Sequence, residues 1–563
     1  MPLEGALDIY GNTIQTKLYD YGNPATPART YNYTYLNGSL YLNAYIRNRL
    51  TQATVTGSSG TVTLETDSYD GFSVTNRTGI TAYDSLFNGP RGNRTTTIQP
   101  GSTRNVHYDI GGMPVTADDG FGHSVTINPA PNTNFAAPGA ILPNGSSTYQ
   151  STYTYTPALQ PAVATDPNSN TTTSTYDSYG RLATSTTVTR TQTTYAYDYS
   201  QHTVSASATN TQWPIGTLAH WQRTTTDGFG RTIKTEAGAD SNTILSVVDT
   251  QYGPCACSPL GKISRVSQPH ALNETPVWTT YTYDASGRTL TVTAPDGGST
   301  TSYVYQGTQT TITDPAGHSK TYTYDARGNL LQVTEPGSLA TLYTYDALNH
   351  MTQVSMTRGS TTQTRTFTYD SGTQRLTQAT TPEAGTVQYS YNDDGTLHSK
   401  TDAMGQQTQY TYDSLARVSQ VSYVPNGSED LCQRVLYRYD GYPYDPYAPT
   451  DPGLLGTNSI GRLTGMSWSG GSGCGYGFQE EYAYDAQGHV WERVLEMAQQ
   501  AGTAPITLAS YFNYDAEGRL TSSKYPAATS NSQDNTFRYT TDHDALGRQS
   551  DLYVGTRCRT PRW

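Results

Sequence analysis

Tyrosine alternates with threonine along the middle of the chain in short runs cut at nearly even intervals. The runs are Tyr281-Thr282-Tyr283-Asp284, Tyr303-Val304-Tyr305, Tyr322-Thr323-Tyr324-Asp325, Tyr343-Thr344-Tyr345-Asp346, Phe367-Thr368-Tyr369-Asp370, Tyr389-Ser390-Tyr391-Asn392 and Tyr410-Thr411-Tyr412-Asp413. The second ring falls at 283, 305, 324, 345, 369, 391 and 412, a step so steady that it marks a repeat architecture. A period of two puts both rings of a run on one face of a strand. Threonine and tyrosine both suit a half-buried pleat. Asp-x-x-Gly then reads as a tight turn, in which the carboxylate bonds backbone N–H groups ahead of it and glycine accepts positive φ. A second strand such as Leu330–Thr334 brings the chain back to a Pro/Gly turn, as at Pro295-Asp296-Gly297, Pro315-Ala316-Gly317 or Pro336-Gly337. One unit is therefore two strands and two turns. A lone hairpin is marginal in water, so the units must pair edge to edge. The expected fold is all-β: a long antiparallel β-hairpin ribbon curling into a spiral, a partly or fully closed hollow shell.

Four stretches follow from how well the pattern is kept. Residues 1–60 hold irregular leading repeats, with turn chemistry at Asp8–Asn12 and alternation at Tyr31–Tyr35. Residues 61–270 hold degenerate copies, among them Tyr83-Asp84, Tyr108-Asp109 and the clean Tyr176-Asp177-Ser178-Tyr179-Gly180-Arg181. Asp119-Gly120-Phe121-Gly122 and Asp227-Gly228-Phe229-Gly230 match each other, and 129–147 reads as a longer connection inside the array. Residues 271–420 are regular. Residues 421–563 keep copies such as Tyr514-Asp515-Ala516-Glu517-Gly518-Arg519, with loop insertions at 424–430, 441–458 and 470–477. Val490–Gln500 reads as a long strand and loop. The chain starts and stops within the pattern, without the polar caps that stacked repeats need. A fragment is expected.

Composition sharpens the picture. Hydrophobic residues are 34% and include 47 Tyr against 9 Phe, while charged residues are only 14%. That suits a thin sheet whose apolar material is mostly tyrosine rings. The net charge of −12 argues against a phosphate-binding footprint and hence against nucleic acid. No window approaches the ~18 apolar residues of a membrane-spanning helix. The N-terminus shows no signal peptide. Cys255-Ala256-Cys257 is too closely spaced for a zinc pair. With Cys432, Cys474 and Cys558 the count is odd, which gives no disulfide framework, and 255–257 reads as a loop with free thiols.

The repeated aspartates invite an acid/base reading, but each sits at the same turn position. Turn formation accounts for Asp177, Asp284, Asp325, Asp346, Asp413 and Asp515, each after its ring (Tyr176, Tyr283, Tyr324, Tyr345, Tyr412 and Tyr514). Gly180, Gly287, Gly328 and Gly518 close the turns, and Arg181, Arg288 and Arg519 follow them. These arginines are expected to pair with the turn aspartate of a neighbouring unit and to stack on tyrosine. Asp118-Asp119 and Asp393-Asp394 offer too few oxygens for a calcium loop. No His-Glu-x-x-His or Gly-x-Ser-x-Gly occurs. No catalytic residue, cofactor or metal is assigned.

Tyr-Asp-x-x-Gly-Arg-Leu, with Asp-Pro-x-Gly between copies, resembles the YD-repeat, or Rhs, family from about Asp8 to Arg548, most closely over 281–417. The resemblance implies a ribbon spiralling around a cavity. In bacterial Rhs proteins and the C component of Tc toxins such a cavity holds a C-terminal toxin, and a core segment closes the shell and cleaves itself. In teneurins a similar barrel serves adhesion. Asp451-Pro452-Gly453-Leu454-Leu455-Gly456 is similar to the closing motif, but ordinary repeat follows it, including Gly461-Arg462-Leu463, and no effector follows. Autoproteolysis is therefore not carried over. What the resemblance implies is a non-enzymatic shell segment of a secreted or surface toxin-type protein. Its partner would be an enclosed effector polypeptide or further Rhs segments. The alternative is a cell-surface adhesin binding carbohydrate or protein through exposed tyrosine rows.

Overall fold

The computed structural model describes residues 3–20, 25–57, 60–80, 89–189, 191–210, 217–239, 243–441, 456–469, 474, 477–498, 506–515, 517–525, 538–543 and 548–554. Among them the chain forms 42 strands in one sheet. Every strand pairs antiparallel with its neighbours in sequence, as in Trp278–Tyr283 with Thr289–Thr293 or Gln407–Tyr412 with Val418–Val424. The first strand, Leu3–Leu7, and the last, Gln549–Val554, each pair on one side only, so the sheet is not closed into a barrel. Among the described residues helix is confined to Ser39–Asn43 and three single 3₁₀ turns.

The curl has a local cause. Tyr283 stands opposite Thr289, Tyr324 opposite Leu330, Tyr412 opposite Val418 and Tyr514 opposite Leu520, and in each case the register slips one residue before the ring. A bulge raises the local twist and bends its strand. Repeated at the same place in unit after unit, it turns a flat ribbon into a spiral. The ring-bearing face is half-buried. The opposite face carries exposed hydroxyl pairs, such as Thr282 with Thr291 at 2.6 Å and Thr344 with Thr352 at 2.9 Å.

The spiral passes itself once. Asp20 meets Ala326, Gly101 meets Arg375, Asn168 meets Ile460 and Thr189 meets Gln487. The partner number rises with the residue number, so the ribbon runs alongside itself and does not fold back. The sequence separation varies from 274 to 306 among these four contacts. The strand count is the same in all four, while the contacts of Arg29 with Asp346 and of Tyr149 with Asp440 reach one hairpin further, 25 strands on. Gly101 follows the sixth strand and Arg375 the twenty-ninth; Asn168 follows the twelfth and Ile460 the thirty-fifth. A wrap is thus 23 strands. Because 23 is odd, the Pro/Gly turns of the first wrap dock on the Tyr-Asp turns of the second. Two rims stay outside this seam: the Tyr-Asp turns of the first wrap and the Pro/Gly turns of the second.

The sheet is thin. The chain exposes 32295 Å², against about 20,000 Å² for a compact chain of this mass. The largest fully enclosed side chains are Val55, Val247, Thr464, Asp109 and Ser459.

Two expectations are corrected. The stretch 129–147 is not a plain connection: Pro138–Pro143 is a strand laid on Ser124–Pro129, because its Ala-Ile-Leu core can pair in register. The cysteines at 255–257 are not free thiols. Cys255 bonds Cys257, its near neighbour in the chain, and Cys432 bonds Cys474 with Cα atoms 5.4 Å apart, a proximity across 42 residues that spacing alone does not reveal. The stretch expected as strand and loop contains the strand Val490–Ala498. Tyr83-Asp84, Asp451–Leu455 and Cys558 lie outside the described residues.

Candidate functional site

The repeated feature is a boxed turn. At the tip after Tyr283, the N–H of Asp284 donates to the Arg288 carbonyl at 2.9 Å and that of Gly287 to the Asp284 carbonyl at 3.0 Å. Asp284 Oδ1 accepts from the N–H groups of Ser286 and Arg288, both at 2.9 Å, and Oδ2 accepts from Arg288 Nε at 2.7 Å. Gly287 supplies the φ of +81° that the turn requires. The same box forms at Asp177 with Arg181, Asp325 with Asn329, Asp346 with His350, Asp413 with Arg417 and Asp515 with Arg519. Gly180, Gly328 and Gly518 hold the corresponding position, but at two tips Asn349 and Ala416 take it, at φ +71° and +59°. The Asp284 carboxyl is held below its ordinary range first by the Arg288 N–H, against desolvation, with help from the Arg288 guanidinium and Ser286.

The arginines differ from the expectation in one respect. They pair with the aspartate of their own turn, because the box places the two side chains four residues apart on one tip. What reaches the next unit is the cation–π contact: Arg181 lies 4.1 Å from the Tyr197 ring, Arg288 4.4 Å from Tyr305 and Arg417 4.2 Å from Tyr439. Arg417 also bonds Asp440 of the next unit at 2.5 Å. A second coupling runs backwards. The hydroxyl of Tyr283 donates to the Ile263 carbonyl, that of Tyr391 to Leu376 and that of Tyr412 to Leu397, each at 2.8 Å. Tyr176 does the same to Pro161 at 2.8 Å and Tyr514 to Val490 at 2.9 Å.

At the seam these tips meet the other wrap. Tyr149 donates to Asp440 at 2.7 Å, and its ring lies 5.7 Å from Arg417. Arg375 donates to the Asn392 carbonyl at 3.0 Å and across the seam to Gly101 at 2.6 Å. Arg29 bonds the carbonyls of Asp346 and Ala347. His123, boxed with Asp119, lies 3.9 Å from Asp394. The two acidic pairs that the sequence singles out thus approach one another, but Asp119 accepts from the Phe121 N–H and Asp394 from the Thr396 N–H and hydroxyl. Among the described residues no three His, Cys, Asp or Glu side chains gather as a metal site. A cavity of about 770 Å³ opens between the wraps, lined in part by Ile98, Phe121, Arg375 and Tyr389.

Sequence reasoning missed two split boxes. The Asp70 carboxylate caps the N–H groups of Arg91, Gly92 and Asn93, and Asp440 caps Gly461. Each is an ordinary turn with a long insertion between its halves. The half-motifs Tyr69-Asp70 and Gly461-Arg462-Leu463 were the available signal.

The RHS repeat family model matches residues 283–319, 303–339, 324–361 and 391–429. No curated protein matches the chain. A crystal structure of TcdB2-TccC3-Cdc42 is similar with a TM-score of 0.62 at 12% identity, covering 99% of this chain and 35% of that one. One of TcdB2-TccC3 gives 0.62 at 13%, covering 99% and 33%. The Tc holotoxin pore of Photorhabdus luminescens, with a TccC3 mutation, gives 0.67 at 12%, covering 99% and 37%. The chain spans about a third of the length of the chains it matches, and at such identity the likeness is one of fold. The regular block thus carries RHS repeats, and nearly the whole chain shares the fold of the toxin structures it resembles.

Proposed function

We propose that the chain is a wall segment of a toxin-type shell that encloses an effector polypeptide and turns over no substrate. The observation that carries the reading is the 23-strand wrap. At about 4.8 Å per strand it has a circumference of about 110 Å, which as a circle is about 35 Å across. That is wide enough for side chains on both walls and a polypeptide between them. The turn carboxylates described above are taken up by turn N–H groups and guanidinium groups, which supports a structural and not a catalytic use. Two disulfides fit an oxidising, secreted setting. The toxin complexes that share the fold support the class. The test is a protease-sensitive passenger fused after the last residue. Its digestion is expected to slow at least tenfold relative to the free passenger, and to recover when Arg375→Ala and Arg417→Ala together loosen the seam. Digestion at the free rate overturns the reading.

A second reading, adhesion, has its own observation. Tyr179, Tyr199 and Phe229 are 77%, 70% and 69% exposed on tips of the rim left free by the seam. Exposed rings in a row suit a carbohydrate or protein partner. Binding to a glycan array, lost when all three become alanine, would favour it.

A further inference from the structure

We propose that the Cys255–Cys257 disulfide is a stoichiometric thiol–disulfide exchange site, which oxidises one dithiol carried by a polypeptide or small molecule per chain and does not turn over. The two disulfides of the chain do different things. Cys432–Cys474 spans 42 residues, so it constrains the unfolded chain. Cys255–Cys257 spans 2, and closing so small a ring removes little chain entropy. Its hairpin tip is already shut by the pairing of Cys255 with Ser258. Stapling is therefore not what this bond contributes.

Its surroundings favour a thiolate. Lys262 Nζ donates to the Gly287 carbonyl at 2.6 Å and lies 4.9 Å from the Tyr283 ring. Cys257 Sγ and Lys262 Cε lie 3.1 and 3.3 Å from the point where a side chain on Gly287 would begin. The missing side chain of that glycine lets the sulfur and the lysine share one niche. A cation beside a sulfur stabilises its thiolate. The tip between Ser246–Cys255 and Ser258–Ser267 belongs to the Tyr-Asp rim of the first wrap, which the seam leaves uncovered. Both cysteines are partly exposed there, and Ala256 between them is exposed.

The chemistry follows. A substrate thiolate attacks Cys255 Sγ, the Cys255–Cys257 bond breaks, and Cys257 leaves as a thiolate beside Lys262. The second substrate thiolate then attacks the substrate sulfur of the mixed disulfide and expels Cys255 as a thiolate. Two electrons pass from the dithiol to the pair; the dithiol becomes a disulfide, and its two protons go to solvent or to the new thiolates. A better leaving thiolate accelerates the first step.

The test uses the whole chain in dithiothreitol buffers of graded reduced-to-oxidised ratio, with thiols trapped by N-ethylmaleimide and peptides weighed. Cys255–Cys257 is expected to be half-reduced at a ratio at least tenfold lower than Cys432–Cys474, with the β-sheet circular dichroism unchanged. Lys262→Gln is expected to move the pH profile of Cys257 alkylation upward. A Cys255→Ser, Cys257→Ser double variant should keep the wild-type spectrum, showing that the bond does not hold the sheet. Joint or reversed order of reduction, labelling without reductant, loss of the sheet on reduction, or an unmoved pH profile would each overturn the proposal. The measurement reads the tip alone and is independent of whether a passenger is enclosed.

Discussion

A turn carboxylate such as Asp284 receives two N–H groups and a guanidinium, and its charge matters to the rung it closes. Asp227 is held low first by Arg231, and Asp370 first by the Thr373 N–H. A folded value below the ordinary 3.8 means that the unfolded chain takes up protons first as the pH drops. This stabilisation is complete above about pH 5, fades through pH 4 and is lost below the folded values. Melting followed by circular dichroism should be flat from pH 7 to about 5 and fall steeply below 4. The rings give the opposite limb. Desolvation raises the hydroxyls of Tyr391, Tyr412 and Tyr514 above the ordinary 10.0, and pushes Tyr69 up to about 12. Their contribution is present below pH 10 and is lost as pH rises through the folded values, which tyrosinate absorbance during alkaline unfolding would show. Ala416 holds a left-handed φ that disfavours a Cβ. Ala416→Gly should therefore stabilise its rung by about 1 kcal/mol, read by urea unfolding.

At the scale of the element, the hydroxyls of rings such as Tyr283, Tyr391 and Tyr412 tie a hairpin to the one before. Tyr412→Phe removes the bond to Leu397 and should cost about 1 kcal/mol. In a nearest-neighbour array the loss stays local, so amide exchange should quicken around 397–412 and leave 176–181 untouched. Arg417 joins its own turn, Asp440, Tyr439 and Tyr149 across the seam. Arg417→Ala should cost about 2 kcal/mol, after allowance for partial solvent screening. The hairpins themselves were legible, because alternation and Asp-x-x-Gly are local chemistry. The partner of each arginine was only half legible: spacing placed Arg288 near a carboxylate but could not say that the turn folds back on itself. Asp70 and Asp440 were obscured because an insertion separates the two halves of one box.

For the whole molecule, spiral curvature followed from the repeat, but the seam did not. Gly101 and Arg375 carry no shared motif, and their meeting depends on twist accumulated over 23 strands. Insertions change the residue count per wrap without adding strands in proportion, so a search for sequence periodicity at that length finds nothing. A thin open spiral predicts a radius of gyration well above the about 24 Å of a compact chain of this length, which X-ray scattering would measure. A value near 24 Å would contradict the exposed area described above.

The odd count has one more effect. It makes the molecule polar along the spiral axis, like a threaded screw with a distinct head and tip. The bare border at one end is of a different kind from the bare border at the other. A twofold dimer would oppose like to like and could not reproduce the docking seen inside. Whatever continues the spiral must differ at its two ends, so growth by this contact has a direction and, by this contact alone, no built-in stop.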